Sequence, residues 1–304
     1  GLYCWAILIA AFQPVLPISA VNEAHNAAFW KTIKEHNFAV PSHESAGALA
    51  LEITDLAGST DPSLRDSCGY EILANWIYRN NLLTGEQLEA LRAKLLPVMI
   101  SHIGESENDT VFGRSFSALY MSILAAQDLQ KPFLSDSAFK ETLETALQCY
   151  ASEKDVRGYV PVKGWAHATA HVADLLKFLA RNPKLSGEDQ KKIIAAIAQR
   201  CRTVPSVFVW GEDRRIAAAL LSIVDGKDFD QSSFDEWFKA LIAENNHLWK
   251  EPKIDIPEYV RVRTQSNVLV QLVAKIAAQK ENDAARRFRD ALNEVLSRMD
   301  HPGQ

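Results

Sequence analysis

Glycine and proline are scarce in this chain, 13 and 12 among 304 residues, and most of them fall between apolar stretches. That scarcity argues against a turn-rich sandwich or barrel. Strand-like alternation is nearly absent as well, so the composition points to helices. Basic charge is not in excess: 33 Lys and Arg stand against 38 Asp and Glu, a net charge of -5 with both signs interspersed. A nucleic-acid partner is therefore not expected. No CxxC pair occurs among the four cysteines, Cys4, Cys68, Cys149 and Cys201, which removes zinc knuckles and thioredoxin-type motifs and leaves buried free thiols as the expectation. There is no Walker loop, no dinucleotide fingerprint and no His-Glu-x-x-His. Gly113-Arg114-Ser115-Phe116-Ser117 lacks the second glycine of a nucleophile elbow.

What is present is ordinary globular material, 47% apolar and 23% charged, enough to bury a sizeable core. The first twenty residues differ. Leu2 to Phe12 is an uncharged apolar run, followed by Pro14, Pro17 and Ser19-Ala20. A run of about eleven residues is too short for a spanning helix of roughly twenty. It reads as an export signal over residues 1–20, with Ile18-x-Ala20 near a signal-peptidase pattern, and a periplasmic or secreted protein is expected, without membrane attachment once the signal is removed. A buried N-terminal helix in a cytoplasmic protein is the alternative.

From residue 21 on, apolar residues recur at three and four residue steps. Amphipathic helices are expected over Thr84 to Ile103, with a kink at Pro97, and over Ser135 to Ser152, Ser186 to Thr203, Ser232 to Asn245 and Asn282 to Met299. More apolar helices alternate with them: Tyr70 to Ile77, Ser115 to Ala125, Trp165 to Ala180, Arg215 to Val224 and Thr264 to Ala277. Thr84 with Gln87 and Ser186 with Asp189 have the spacing of capping boxes. Each apolar helix follows a basic residue, Arg65, Arg114, Lys163, Arg214 and Arg263, at spacings of 49, 49, 51 and 49, and an acid precedes each: Asp61, Asp109, Asp155, Glu212 and Asp255. A period near 49 is slightly above the HEAT and armadillo range. The expected fold is all-α, with residues 21–304 forming one helical-repeat domain of about five stacked helix pairs and a final helix as cap. A HEAT- or armadillo-like α-solenoid and an α/α toroid both fit. In either, the five basic residues line one surface unless each serves a local salt bridge or cap.

The segment Gly158 to Asp174 carries the chemistry. His167, His171 and Asp174 fall within an arc of about 60 degrees of one helical face. Two imidazoles and a carboxylate so placed suit zinc or another divalent metal with a position left for water. Ala166, Ala168, Ala170 and Ala173 leave room above them, and Trp165 can wall the pocket. A buried polar network is the alternative, His171 pairing with Asp174 and His167 with a loop carbonyl. Glu212-Asp213-Arg214-Arg215 reads as a capping and ion-pair cluster.

Four stretches resemble domain-of-unknown-function family 2785, a bacterial family of helical proteins: Leu64-Arg65-Asp66, Val111-Phe112-x-Arg114-Ser115-Phe116-Ser117, Asp155-x-Arg157-Gly158-Tyr159 with Lys163 to Asp174, and Glu212-Asp213-x-Arg215. Together they span Asp55 to Val224. The resemblance implies a fold similar to HEAT repeats and brings no established activity, substrate or cofactor. Members of the family look cytosolic, and the apolar leader departs from that pattern. Two functions follow from the residues. One is a helical-repeat binding module whose curved surface, lined by the basic row, holds a protein or a small anionic ligand; the candidate site of the chain comprises Arg114, Asp155, Trp165, His167, His171 and Asp174. The other is a metal-assisted hydrolase in which His167, His171 and Asp174 hold the metal and Asp155 or Glu212 acts as base toward the bound water.

Overall fold

Capping chemistry starts the helices where the sequence places it. In the computed structural model, which describes residues 24–280 and 282–300, Thr84 and Gln87 form a reciprocal capping box, as do Ser186 and Asp189. Asn26, Ser45, Ser135 and Asp255 each accept from a backbone N–H in the first turn of the helix that follows. These caps satisfy amides that would otherwise lack partners. The expected export segment, residues 1–20, lies outside the described residues.

The fold is all-α. Twelve helices are described: α1 (Ala27–Glu35), α2 (Ala46–Ile53), α3, α4 (Gly85–Met99), α5 (Thr110–Gln130), α6 (Asp136–Ser152), α7 (Ala168–Leu179), α8 (Gly187–Thr203), α9 (Glu212–Val224), α10 (Asp235–Leu248), α11 (Ile256–Ala277) and α12 (Asp283–Asp300). Here α3 denotes three continuous stretches, Ser63–Tyr70, Glu71–Leu73 and Ala74–Arg79, the outer two wound as π-helix. Pro97 does not kink a helix running on to Ile103. Instead α4 stops two residues later at Met99, since proline removes a bond and crowds the preceding turn. Among the described residues no helix is long and apolar enough to cross a membrane.

Helices α5, α7, α9 and α11 lie side by side, each packed along the next, while α4, α6 and α8 make a second row against them. Helix α5 is buried on nearly every face from Val111 to Asp128, as expected of a helix with apolar residues all round. Its polar side chains are met from within. Asp128 accepts from the Phe133 and Leu134 amides and from Asn182. One hydrophobic cluster extends from Trp30 to Met299. Cys68, Cys149 and Cys201 are buried free thiols, as expected. Burial pushes the Cys149 and Cys201 thiols up to about 12, so neither forms a reactive thiolate near neutral pH.

A fully buried ion pair ties the helical body together. Arg114 is fully buried, and its guanidinium grips Glu153 through Nε at 2.6 Å and Nη2 at 3.1 Å. It also donates to the His102 and Glu105 carbonyls, which pins the segment between α4 and α5. Glu153 accepts the Asp155 amide, and its own carbonyl accepts from Arg200. Arg200 reaches Thr169 on α7 from α8. Removing one partner of such a pair leaves an uncompensated buried charge, whereas replacing both with apolar groups does not. We expect Glu153→Ala to lower the unfolding free energy by about 3 to 5 kcal/mol, and the double variant Arg114→Met with Glu153→Leu to lose clearly less. Urea denaturation of the three proteins decides this. A cost below about 1 kcal/mol for the single variant would place the pair among ordinary surface bridges.

Candidate functional site

The chain between α6 and α7 is shaped by glycine and by one buried arginine. Tyr159–Val160 (β1) and Gly164–Trp165 (β2) form a minimal antiparallel hairpin, a departure from the expected helix over Trp165 to Ala180. Gly164 has φ +76, and a Cβ there would lie 2.9 Å from Pro62 and 3.3 Å from the Arg65 guanidinium. Arg65, fully buried on α3, uses that close approach. It donates to the carbonyls of Lys163 at 2.7 Å, Trp165 at 3.3 Å and Ser59 at 2.7 Å. Its planar head lies 4.2 Å from the Phe112 ring centroid and 4.5 Å from that of Phe116, both on α5. One cation thus ties the hairpin to two helices. At the hairpin tip Val162 takes φ +70, a strained conformation for a β-branched residue.

After the hairpin His167 adopts a left-handed conformation, φ +53 and ψ +31, and α7 begins only at Ala168. His167 is therefore not on the helical face shared by His171 and Asp174. Its ring turns under Trp165, stacked at 4.9 Å and 25 degrees. Trp165 meets Trp210 edge-on at 5.9 Å and 79 degrees, and Tyr159 at 5.3 Å and 80 degrees. Trp210 comes from the loop before α9 and lies flat on Gly158, where a Cβ would come within 2.2 Å of the indole. These groups open into a cleft of about 540 Å³. His167, His171 and Asp174 line it from α7 and its approach, Asp66 and Tyr70 from the π-helical α3, Trp210, Arg214 and Arg215 from the start of α9.

Protonation states follow from the bonding. The Ser115 hydroxyl donates its single proton to the Ala166 carbonyl, so the 2.8 Å contact between Ser115 Oγ and His171 Nδ1 has the imidazole as donor. His171 Nε2 is then left as an acceptor on the cleft side. Burial above all, then the neighbouring His167, Arg215 and Arg65, holds the His171 pKa well below its ordinary value. Burial and Arg215 push His167 down to about 4. Its Nε2 is buried without a hydrogen bond, 3.8 Å from Glu212 Oε1. Burial raises Glu212 and also Asp174, where it outweighs the bond from Arg215 and the Lys177 ammonium at 3.8 Å. Asp66 is raised by burial against the opposing pull of Arg65. Both imidazoles are neutral at pH 7.

Of the residues singled out in the sequence, Trp165, His167, His171 and Asp174 meet in the cleft, and Arg114 and Asp155 do not. Arg114 belongs to the Glu153 pair, and Asp155 is buried against Arg157 and the Glu107 amide. The His167 and His171 rings come within 5.6 Å of each other, while Asp174 is bonded by Arg215. Among the described residues no group of three or more His, Cys, Asp or Glu is placed to hold a metal ion. The left-handed turn takes His167 off the helical face, and Asp174 faces two cations. The evenly spaced basic residues do not share a surface either. Arg65 and Arg114 are buried, Lys163 pairs with Asp109 at 2.7 Å, Arg214 stands at the cleft and Arg263 lies over Tyr259 at 5.8 Å. Asp66, Tyr70, Lys177, Trp210 and Arg215 enter the cleft without having been marked as its lining. Glu212-Asp213-Arg214-Arg215 was the one legible sign, and its ion pairing is real: Arg215 bonds Asp174 on the neighbouring helix.

The family model described as "Protein of unknown function (DUF2785)" matches residues 99–274. The match takes in the hairpin, α7 and the start of α9. It continues past Val224, and it leaves Leu64-Arg65-Asp66 outside. No curated protein and no solved structure matches the chain.

Neutral buried histidines give stability a defined pH dependence. His167 titrates near 6.5 when unfolded and at about 4 when folded, so between those values the unfolded chain binds more protons. Its contribution is present above about pH 6.5 and is lost as pH falls toward 4. The raised carboxyls Asp66, Asp174 and Glu212 act in the opposite sense, so the comparison must be made against a variant that keeps them. Relative to His167→Gln, wild type is expected to lose up to about 3 kcal/mol between pH 6.5 and 4, measured by urea denaturation at each pH. A flat difference across that window would mean that the folded protein protonates His167 freely.

Proposed function

The chain belongs to domain-of-unknown-function family 2785, and from that premise we propose that it is a helical-repeat binding module whose cleft holds a small anionic ligand. The alternation of helices between two packed rows supports the repeat reading, since each pair buries its apolar faces only against its neighbours. The cleft of about 540 Å³ falls in the range of small-molecule sites. The cleft is a concavity lined by aromatic and charged side chains together, which suits a small ligand better than a protein surface.

The observation that carries the anionic reading is Arg214. Its guanidinium is exposed at the cleft and makes no ion pair or hydrogen bond among the described residues. Only its backbone amide is engaged, by Asp213. Around it the balance is positive: Lys177, Arg214 and Arg215 line the cleft against Asp66 and Asp174, and both acids are already bonded to arginines. An unpaired planar guanidinium matches carboxylate or phosphate oxygens two at a time.

A metal-assisted hydrolase is less well supported, because Asp174 is held by Arg215 and Lys177 rather than turned to a shared ligand point. A serine hydrolase is not supported at all. Ser115 is buried and spends its proton on a carbonyl, which makes it a support for His171.

Inorganic phosphate and acetate serve as probes, with thermal unfolding as the readout. Saturable stabilisation of wild type is expected, with affinity reduced about tenfold or more in Arg214→Ala, as befits a charge-assisted hydrogen bond. Arg263→Ala, a change remote from the cleft, should bind as wild type does. No saturable shift in wild type, or equal shifts in wild type and Arg214→Ala, would defeat the proposal.

A further inference from the structure

Resting on the anionic reading, we infer that the occupant of the cleft is a small anion joined to a ring with an apolar face, which the indoles of Trp165 and Trp210 receive. Large aromatic side chains are normally buried, yet Trp165 is 37% exposed and Trp210 47% exposed, and both line the same cleft. They come from separate segments, the hairpin and the loop before α9, and they stand at 79 degrees to each other. The result is an aromatic corner at the cleft, two indoles meeting at nearly a right angle.

Each indole is held in place. Trp165 is backed by the His167 ring, and its carbonyl is bonded by the buried Arg65. Trp210 lies against Gly158, where no larger residue fits, and its amide donates to Glu212 at 2.9 Å. A corner fixed in advance costs little ordering on binding. Within four residues of Trp210 the chain presents the free Arg214 guanidinium, so the apolar and the anion-binding surfaces are adjacent. Indole faces stack on aromatic rings and equally on the apolar face of a pyranose. Both sources share the chemistry the cleft offers.

Calorimetric titration with inorganic phosphate, phenyl phosphate and glucose 6-phosphate tests this on wild type, Trp210→Ala and Trp210→Phe, with circular dichroism to check that each variant is folded. At least one ring-bearing phosphate is expected to bind wild type about fivefold or more tightly than inorganic phosphate, the scale of one aromatic contact. That gain should vanish in Trp210→Ala and return in Trp210→Phe, while inorganic phosphate binds all three alike. Preference for phenyl phosphate assigns an aromatic ring, and preference for glucose 6-phosphate a sugar. Equal affinity of all three phosphates for wild type overturns the inference and leaves the anion site standing. Failure of all three to bind removes the anion site itself.

Discussion

The cleft depends on a buried guanidinium. Arg65 sits fully enclosed between α3 and the Phe112 and Phe116 rings of α5, and its donors close on the carbonyls of Ser59, Lys163 and Trp165. A fully buried cation is costly unless its donors are met. Here the two Nη groups are met by carbonyls, with Nε left unpartnered, and meeting them requires the hairpin to lie in one place. Gly164 permits the approach, Trp165 is thereby oriented, and His167 follows beneath it. The π-helical winding of α3 belongs to the same arrangement. Gly69 leaves space for the Tyr120 hydroxyl, which donates to the Arg65 carbonyl, and π turns are frequently found where a side chain must be aimed at a site.

Around this anchor the polar interior divides in two. The network of Arg114, Glu153, Asp155, Arg157 and Arg200 joins α5, α6 and α8 and is satisfied from within. The cleft network is not. His167 Nε2 lacks a partner, His171 presents an unprotonated nitrogen, and Arg214 has no counter-ion among the described residues. Buried polar atoms without partners also occur at Arg65, Ser117, Gln127, Tyr150 and Thr264, so what distinguishes the cleft is its exposed Arg214 beside two neutral imidazoles. Burial keeps the two histidines neutral, so the cleft's positive charge comes from its lysine and arginines.

Much of the fold was legible because it rests on local rules. Thr84 with Gln87 and Ser186 with Asp189 mark helix starts through bonds spanning three residues, and the three and four residue apolar steps of α6, α8 and α12 report which face is covered. The free cysteines follow from spacing alone. Arg65 and Arg114, by contrast, look in the sequence like members of an exposed basic series. Only their neighbours across about 100 and 39 residues of chain show them buried. Nothing in composition separates a basic residue that faces water from one that holds a hairpin.

The residues around His167 mark the limit most clearly. The run from Trp165 to Asp174 determined by itself that two imidazoles, a carboxylate and an indole lie close together, because ten residues cannot place them far apart. It did not determine their arrangement, since the left-handed turn at His167 is set by hydrogen bonds that the Ala166 and His167 amides donate to the Gly158 and Arg157 carbonyls and by Arg65 from another helix. Trp210, Arg214 and Arg215 reach the same cleft because α9 packs along α7. Helical periodicity and capping act within a few residues and can be read along the chain. Which helices lie side by side, and which buried charges meet, is decided by packing over the whole molecule.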